Sequence, residues 1–168
     1  MPINWGILGT GTIARLVAED LQLLPDAALT AVGSRAQERA EAFGDTFGVP
    51  RRYGSYAALV ADADLDLVYV ATPHSEHLAH ATMALEAGHA VLCEKPLALN
   101  AAQANRLIDT ARRHDQFLME AMWTRFLPVM DDVHRLVREQ RVLGDVHLLR
   151  ADIGVARSFD PDHRLFNP

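Results

Sequence analysis

Near its amino terminus the chain reads Ile3-Asn4-Trp5-Gly6-Ile7-Leu8-Gly9-Thr10-Gly11-Thr12-Ile13-Ala14. The apolar run before Gly9 is typical of a buried strand, and apolar residues at helical spacing follow it. A G-x-G-x-x-A pattern between a strand and a helix predicts a dinucleotide-binding turn, because the glycines allow a tight turn and a close approach of a pyrophosphate. The N–H groups at the start of the helix would then face the phosphates. The candidate cofactor-binding residues here are Gly9, Thr10, Gly11, Thr12 and Ile13.

Strands and helices alternate along the chain. Apolar runs predict strands at residues 3–8, 27–33, 66–71, 89–93 and 117–120. Helices are predicted at residues 12–24, 37–47 and 75–87, and from an Asn100–Gln103 capping box to about Arg113. The first helix is expected to bury Ile13, Leu16, Val17, Leu21 and Leu24. The alternation predicts an α/β fold, a Rossmann-type doubly wound parallel sheet with helices on both faces.

The pattern changes after residue 121. Apolar residues at helical spacing predict a helix over 126–137, and residues 145–153 are predicted to form a strand. A lone strand either joins the main sheet or begins another one, because an unpaired edge is unfavourable. We favour a Rossmann domain at 1–121 and the beginning of a second domain at 122–168.

Composition excludes several classes of protein. The 168 residues carry a formal net charge of −6, which argues against a nucleic-acid partner. The apolar runs are shorter than the ~20 residues that a membrane span needs, and the first residues do not resemble a secretion signal. The single cysteine, Cys93, fits a reducing compartment, so we expect a cytoplasmic protein with no membrane partner.

The end of the second predicted strand bears on the choice of cofactor. Proteins that prefer NAD usually have an acidic residue there to bind the ribose hydroxyls. This chain has Ser34 and Arg35 instead, with Arg39 one turn later. A guanidinium suits the 2′-phosphate of NADP because it is planar and always charged. We therefore expect NADP, although an Arg35 that only stacks on the adenine would be compatible with NAD.

Histidines follow the third predicted strand, in the segment Thr72-Pro73-His74-Ser75-Glu76-His77. Ligands of open α/β sheets bind at the carboxyl ends of the strands, so Thr72, Pro73, His74 and His77 are candidate cofactor-binding residues. His80 lies on another side of the predicted helix from His74. We therefore expect no metal. A solvated or capping role for His77 is the alternative.

Glu94-Lys95-Pro96 follows the fourth predicted strand. A lysine beside the cofactor could act as a general acid or base, so Lys95 is the candidate catalytic residue and Glu94 a candidate for the cofactor site. The alternative is a surface salt bridge between Glu94 and Lys95.

These motifs occur in an order that resembles the Gfo/Idh/MocA oxidoreductases. The matching segments are Gly9–Ala14, Ser34-Arg35, Thr72-Pro73-His74, Glu94-Lys95-Pro96 and Glu120-Ala121-Met122-Trp123-Thr124-Arg125-Phe126. The last segment looks most like the branch that contains dimeric dihydrodiol dehydrogenase and NADP-dependent D-xylose dehydrogenase. The resemblance covers essentially the whole chain.

The resemblance implies hydride transfer between NAD(P) and a small-molecule sugar or related alcohol. It implies a Rossmann domain followed by an antiparallel sheet domain for substrate binding and dimerisation, which would begin at 122–168 and through which longer forms would pair as homo-oligomers. Lys95 matches the family lysine that polarises or exchanges a proton with the reacting oxygen. Trp123 and Arg125 would flank the nicotinamide or the substrate, unless they are a core tryptophan and an exposed arginine.

One departure from the family concerns length. A second catalytic segment is expected beyond Pro168, so we expect these 168 residues alone to bind cofactor without turnover. The chain is then either part of a longer dehydrogenase or a non-catalytic NADP(H)-binding module. Other classes with a similar turn fit less well, because a methyltransferase needs an acidic residue where Ser34 and Arg35 stand.

Overall fold

The computed structural model describes residues 1–152, 154 and 159–161. It divides into two compact units, Met1–Trp123 and Thr124–Pro168. The first unit contains a parallel six-stranded sheet. Its strands are β1 (Ile3–Leu8), β2 (Ala27–Gly33), β3 (Arg51–Tyr53), β4 (Leu67–Val70), β5 (Ala90–Cys93) and β6 (Leu118–Glu120). Its helices are α1 (Thr12–Leu21), α2 (Gln37–Phe47), α3 (Tyr56–Val60), α4 (His77–Glu86) and α5 (Ala101–Arg113), and a 3₁₀ turn at His74–Glu76 leads into α4.

The strand order is β3-β2-β1-β4-β5-β6. This is the order of a Rossmann fold, in which the chain runs outward from β1 in one direction and then from β4 in the other. The predicted α/β class and doubly wound parallel sheet are therefore confirmed. Ligands of such sheets bind at the carboxyl ends of the strands, where the order reverses between β1 and β4.

Both faces of the sheet are buried. Successive residues of β4 point to opposite faces, so Val68 joins a core cluster with Leu107 of α5, while Tyr69 joins another with Phe43 of α2. Helices on both faces explain why the strands read as nearly continuous apolar runs.

Two local predictions were wrong or incomplete. Helix α1 ends at Leu21, three residues earlier than predicted. It buries the predicted Leu21 together with the small residues Ala14 and Ala18, whereas Ile13 and Leu16 are 37% and 50% exposed. Small side chains let the helix lie close to the sheet. This close packing outweighs the gain from burying the larger apolar side chains. Strand β3 and helix α3 were not predicted, because β3 has only three residues, two of them arginines.

The described part of the second unit contains one helical segment. A 3₁₀ turn at Trp123–Phe126 precedes α6 (Pro128–His134), and a π-helical segment at Arg135–Glu139 continues it. The predicted helix over 126–137 is therefore confirmed. The predicted strand at 145–153 is wrong over residues 145–152, which form no strand, and residue 153 lies outside the described residues. A strand needs a hydrogen-bonded neighbour, and the described part of this unit offers none.

None of the helices in the described residues is both long enough and apolar enough to cross a membrane. No group of three or more His, Cys, Asp or Glu side chains in this part of the chain could hold a metal ion.

Candidate cofactor site and catalytic lysine

The turn after β1 depends on glycine at position 9. Gly9 has φ +109°, and a Cβ there would lie 2.8 Å from the carbonyl oxygen of Ala71, at the end of β4. Its N–H donates to the carbonyl oxygen of Gly33, the last residue of β2, at 2.9 Å. Gly9 therefore lets the turn pass closely between the ends of β2 and β4, and any side chain would disrupt this.

Gly11 has a different role, because nothing inside the protein requires a glycine there. A Cβ on Gly11 would meet no atom within 4 Å, so it would project into open space. Gly11 is the N-cap of α1, and no side chain caps the helix and no acidic residue lies in its first turn. The first N–H groups of α1 therefore have no capping side chain, and free N–H groups at the start of a helix can bind a phosphate. Thr12 and Ile13 are exposed beside it.

The end of β2 carries positive charge. Ser34 is buried and its N–H donates to the carbonyl oxygen of Tyr53 at 3.0 Å, which fixes the strand end. Arg35 and Arg39 follow and are exposed. Burial raises the pKa of the Tyr56 hydroxyl, and the positive charge of Arg35 opposes that rise. This edge is suited to an anion.

Thr72 and His77 organise the end of β4. Thr72 is 7% exposed, and the ring of His77 is completely buried. The two ring nitrogens of His77 lie 2.8 Å from the carbonyl oxygen of Pro96 and 3.0 Å from that of Thr72. A carbonyl oxygen only accepts hydrogen bonds, so a neutral ring can donate to one of them and a protonated ring to both. His77 therefore bridges the segments after β4 and β5, and it is not solvated.

The other two residues of this segment are nearer the surface. Pro73 is exposed, and His74 is partly buried with its ring edge-on to that of His77 at 5.5 Å between centroids. After β4, the buried His77 thus joins two segments of the chain, whereas Pro73 and His74 lie nearer the surface at the edge of the sheet where ligands of such folds bind.

The turn after β5 is held by a buried carboxylate. Glu94 is 7% exposed; one of its oxygens accepts from the Tyr69 hydroxyl at 2.7 Å and the other from the Lys95 backbone N–H at 3.0 Å. Burial and the Glu94 carboxylate raise the pKa of Tyr69, so the hydroxyl stays protonated and donates. The Glu94 carboxylate therefore holds the backbone of Lys95 and is not paired with its ammonium.

Lys95 itself is exposed. The ion pairs among the described residues do not include it. A surface salt bridge with Glu94, the alternative considered from sequence, is therefore not formed. The backbone of Lys95 is thus held in place, while its side chain is exposed to solvent.

The end of β6 completes this edge. Glu120 accepts from the Leu97 N–H at 2.8 Å, which ties the segment after Pro96 to β6. Burial raises the pKa of the Cys93 thiol to about 12, so this buried thiol stays protonated at neutral pH. Trp123 is 59% exposed, and Arg125 is also exposed. Trp123 is therefore not a core residue.

The structure thus brings the predicted residues of the first unit to one edge of the sheet. Gly9, Ser34, Thr72 and Glu94 each follow a parallel strand at its carboxyl end. Sequence reasoning missed Tyr56, Tyr69 and Glu120, whose contacts join segments distant along the chain. A tyrosine inside an otherwise aliphatic strand was the only signal for Tyr69, because a buried hydroxyl needs a partner.

Comparison with known proteins agrees with this geometry. The family model GFO_IDH_MocA, described as an oxidoreductase family with an NAD-binding Rossmann fold, matches residues 3–122. The chain belongs to this family. The Gfo/Idh/MocA resemblance expected from the motifs is therefore confirmed, and the first unit is an NAD-binding Rossmann fold of an oxidoreductase family.

Curated relatives in this family are trans-1,2-dihydrobenzene-1,2-diol dehydrogenases. The Xenopus tropicalis protein is 42% identical over 157 residues, which are 92% of this chain and 47% of that protein. The Mus musculus protein is 40% identical over 165 residues, 97% of this chain and 48% of that one. The chain thus spans about half the length of these curated relatives.

Solved structures of other Gfo/Idh/MocA-like proteins show both nicotinamide cofactors. KijD10, a 3-ketoreductase from Actinomadura kijaniata solved with NADP, matches with a TM-score of 0.78 and 35% identity over 83% of this chain and 44% of that one. An Agrobacterium radiobacter oxidoreductase solved with NAD⁺, L-tartaric acid and magnesium matches with a TM-score of 0.78 and 29% identity over 86% of this chain and 42% of that one. These likenesses support a nicotinamide cofactor and do not decide between the two.

Proposed function

We propose that the chain binds NADP and supplies the cofactor side of a dehydrogenase that transfers hydride between NADP and a sugar or related alcohol. The uncapped start of α1 at Gly11, together with the cationic end of β2, carries the proposal. An anion-binding helix start fits any dinucleotide, whereas Arg35 and Arg39 in place of an acidic residue favour the phosphorylated one.

Each part of the cofactor has a set of residues suited to it. Gly9–Ile13 would hold the pyrophosphate, and Ser34 with Arg35 would hold the adenosine end and its 2′-phosphate. The nicotinamide would lie beside the segments after β4 and β5, which contain Thr72, Pro73, His74, His77, Glu94 and Lys95. Trp123 and Arg125 would flank the nicotinamide or the substrate.

Lys95 is the residue proposed to move a proton. The bound cofactor supplies or accepts the hydride. When an alcohol is oxidised, the neutral Lys95 amine accepts the hydroxyl proton as a hydride leaves the carbon that bears the hydroxyl. In the reverse direction, the Lys95 ammonium donates a proton to the carbonyl oxygen. Glu94 fixes the Lys95 backbone, so the flexible side chain starts from a defined position.

Titration of NADPH and NADH into the 168-residue chain, followed by cofactor fluorescence, tests the cofactor assignment. We expect both to bind and NADPH to bind more tightly. Equal affinities would contradict the choice of NADP, and no binding of either would contradict the proposal as a whole.

Turnover separates the dehydrogenase from the other function considered, a non-catalytic NADP(H)-binding module. A longer protein that contains this chain and oxidises sugars or alcohols would support the first. A native protein that binds NADPH and never reacts would support the second. The remaining proposals are that residues 122–168 begin a substrate and dimerisation domain, that the longer protein is a homo-oligomer, and that it is cytoplasmic with no nucleic-acid partner.

A further inference from the structure

The turn that carries Lys95 is held by side chains. In the part of the chain that the structure describes, Lys95, Pro96 and Leu97 make no main-chain to main-chain hydrogen bond. Instead, the Glu94 carboxylate accepts from the Lys95 N–H at 3.0 Å, and the Glu120 carboxylate accepts from the Leu97 N–H at 2.8 Å. Pro96 lies between these two N–H groups and offers only its carbonyl oxygen. The partner of that oxygen therefore decides how the middle of the turn is held.

The partner of the Pro96 oxygen is His77. The ring of His77 is completely buried at the start of α4, and its Nδ1 lies 2.8 Å from the Pro96 carbonyl oxygen. Its Nε2 lies 3.0 Å from the carbonyl oxygen of Thr72. Thr72 is itself buried, and its hydroxyl oxygen lies 3.0 Å from Nδ1 of His80, one turn further along α4. His77 thus connects the turn that carries Lys95 with a buried residue at the end of β4.

The position of the proton on the His77 ring decides which carbonyl oxygen is held, because both oxygens can only accept hydrogen bonds. A ring with a proton on Nδ1, whether neutral or positively charged, donates to Pro96. A ring with a proton on Nε2 alone donates to Thr72. In that case the Pro96 oxygen would have no donor among the described residues.

We propose that His77 is a positioning residue for Lys95, which holds the Pro96 carbonyl oxygen through the N–H at Nδ1. The Lys95 side chain is exposed and flexible, so the fold can place it only through its backbone. The bond to Pro96 fixes that backbone relative to the residues after β4, beside which the nicotinamide would lie. Proton transfer depends on this placement, because a shift of about 1 Å can slow a reaction about a hundredfold. The inference rests on the proposed function, since His77 would act through Lys95.

The state of the His77 ring can be measured without any variant. In the 168-residue chain labelled with ¹⁵N-histidine, the ¹⁵N chemical shifts distinguish a ring nitrogen that carries a proton from one with a free lone pair. We expect Nδ1 of His77 to carry a proton at neutral pH. A proton on Nε2 alone would refute the inference, because Nδ1 could then not donate to Pro96.

Two amide substitutions separate the two contacts of the ring. In His77→Asn the side-chain NH₂ group replaces Nδ1 and can still donate to Pro96, whereas in His77→Gln it replaces Nε2 and can donate to Thr72. Hydrogen exchange of the Lys95 and Leu97 amides, measured by NMR, reports how often the turn opens. We expect both amides to exchange about three- to tenfold faster in His77→Gln than in His77→Asn, as the loss of one hydrogen bond predicts.

His89→Gln is the matched control. His89 is also buried, and its ring nitrogens lie 3.0 Å from the carbonyl oxygen of Leu65 and 2.7 Å from that of Val60. It precedes β5, at the opposite end of that strand from the turn. The same substitution therefore removes an equivalent buried bridge, but the two amides of the turn should exchange within about twofold of their native rates. Equal acceleration in His77→Gln and His89→Gln would indicate a general loss of stability and refute the positioning role.

Turnover separates this inference from the proposed function. In a longer protein with turnover, His77→Gln should lower kcat about tenfold or more with little change in the KM for NADPH, and His77→Asn should lower it less. Equal losses in these two variants, beside a strong loss in Lys95→Ala, would refute the role of His77 and leave that of Lys95. Unchanged turnover in Lys95→Ala, or a native protein that binds NADPH and never reacts, would overturn the proposed function and the positioning role together.

Discussion

Tyr69→Phe tests whether the turn that carries Lys95 is held by a buried, charge-assisted hydrogen bond. The Tyr69 hydroxyl is the donor to one oxygen of Glu94 at 2.7 Å, and the other oxygen accepts only from the Lys95 N–H among the hydrogen bonds of the described residues. Both side chains are almost fully buried, with Tyr69 1% and Glu94 7% exposed. Removal of the hydroxyl would leave a buried carboxylate oxygen without a donor.

The expected cost follows from that environment. Hydrogen bonds to charged groups contribute about 1.5 to 3 kcal/mol, and an unsatisfied buried partner places this loss near the upper end. We therefore expect Tyr69→Phe to lower the free energy of unfolding by about 2 to 3 kcal/mol. Urea unfolding followed by tryptophan fluorescence measures this free energy. An unchanged slope of the unfolding free energy against urea concentration would show that only stability has changed.

Tyr53→Phe is the control for this prediction. Asp62 also loses a tyrosine donor at 2.8 Å in that variant, but it keeps the Arg51 guanidinium at 2.9 Å and the Asp64 N–H at 3.2 Å. Its loss should stay below about 1 kcal/mol because the carboxylate remains partnered. Equal losses in the two variants, or a loss below about 1 kcal/mol in Tyr69→Phe, would refute the reasoning.

Three further predictions concern the cofactor and Lys95. Arg35→Asp should weaken NADPH binding by about 2 kcal/mol or more by removing a charge-assisted partner of the phosphate, whereas NADH binding in the same titration should change little. Gly11→Ala should leave thermal stability nearly unchanged but weaken the binding of both cofactors. Gly9→Ala should destabilise the protein itself, because Gly9 has a positive φ and a Cβ there would lie 2.8 Å from a carbonyl oxygen. Equal unfolding temperatures for the two variants would contradict this. In a longer protein with turnover, Lys95→Ala should reduce kcat by about 10²- to 10⁴-fold with NADPH affinity within a few-fold; unchanged turnover would exclude the catalytic role.

The sheet and its ligand-binding edge could be predicted from sequence because they depend on local patterns. Apolar runs marked five of the six strands, and Gly9 stood where the backbone needs a positive φ. Strand β3 was not predicted because an edge strand of two arginines and a tyrosine has no apolar pattern. Tyr56 was missed with it, since a residue cannot be assigned to a site before its segment is placed at the sheet edge.

Other failures came from partners that are distant in sequence. Glu94 and Lys95 are adjacent, which suggested an ion pair, but the Glu94 carboxylate bonds Tyr69, 25 positions away. Residues 145–152 carry an apolar pattern typical of a strand, yet a strand forms only with a neighbour. A pattern within one segment predicts the state of its backbone, whereas the partner of a polar side chain depends on the packed fold.

The polar residues at the sheet edge fall into two groups with different physical roles. Glu94 and His77 are buried, and they bond a tyrosine hydroxyl or main-chain groups. Burying such groups is unfavourable unless their hydrogen bonds are made, so their contribution is to fix the segments after β4 and β5. Arg35 and Lys95, in contrast, are exposed. Substitutions in the buried group should therefore lower stability even without cofactor, whereas substitutions of Arg35 or Lys95 should change binding or turnover at nearly constant stability. A buried polar residue beside a ligand site thus acts by shaping the backbone that presents the exposed charges, and stability measured without cofactor separates the two roles.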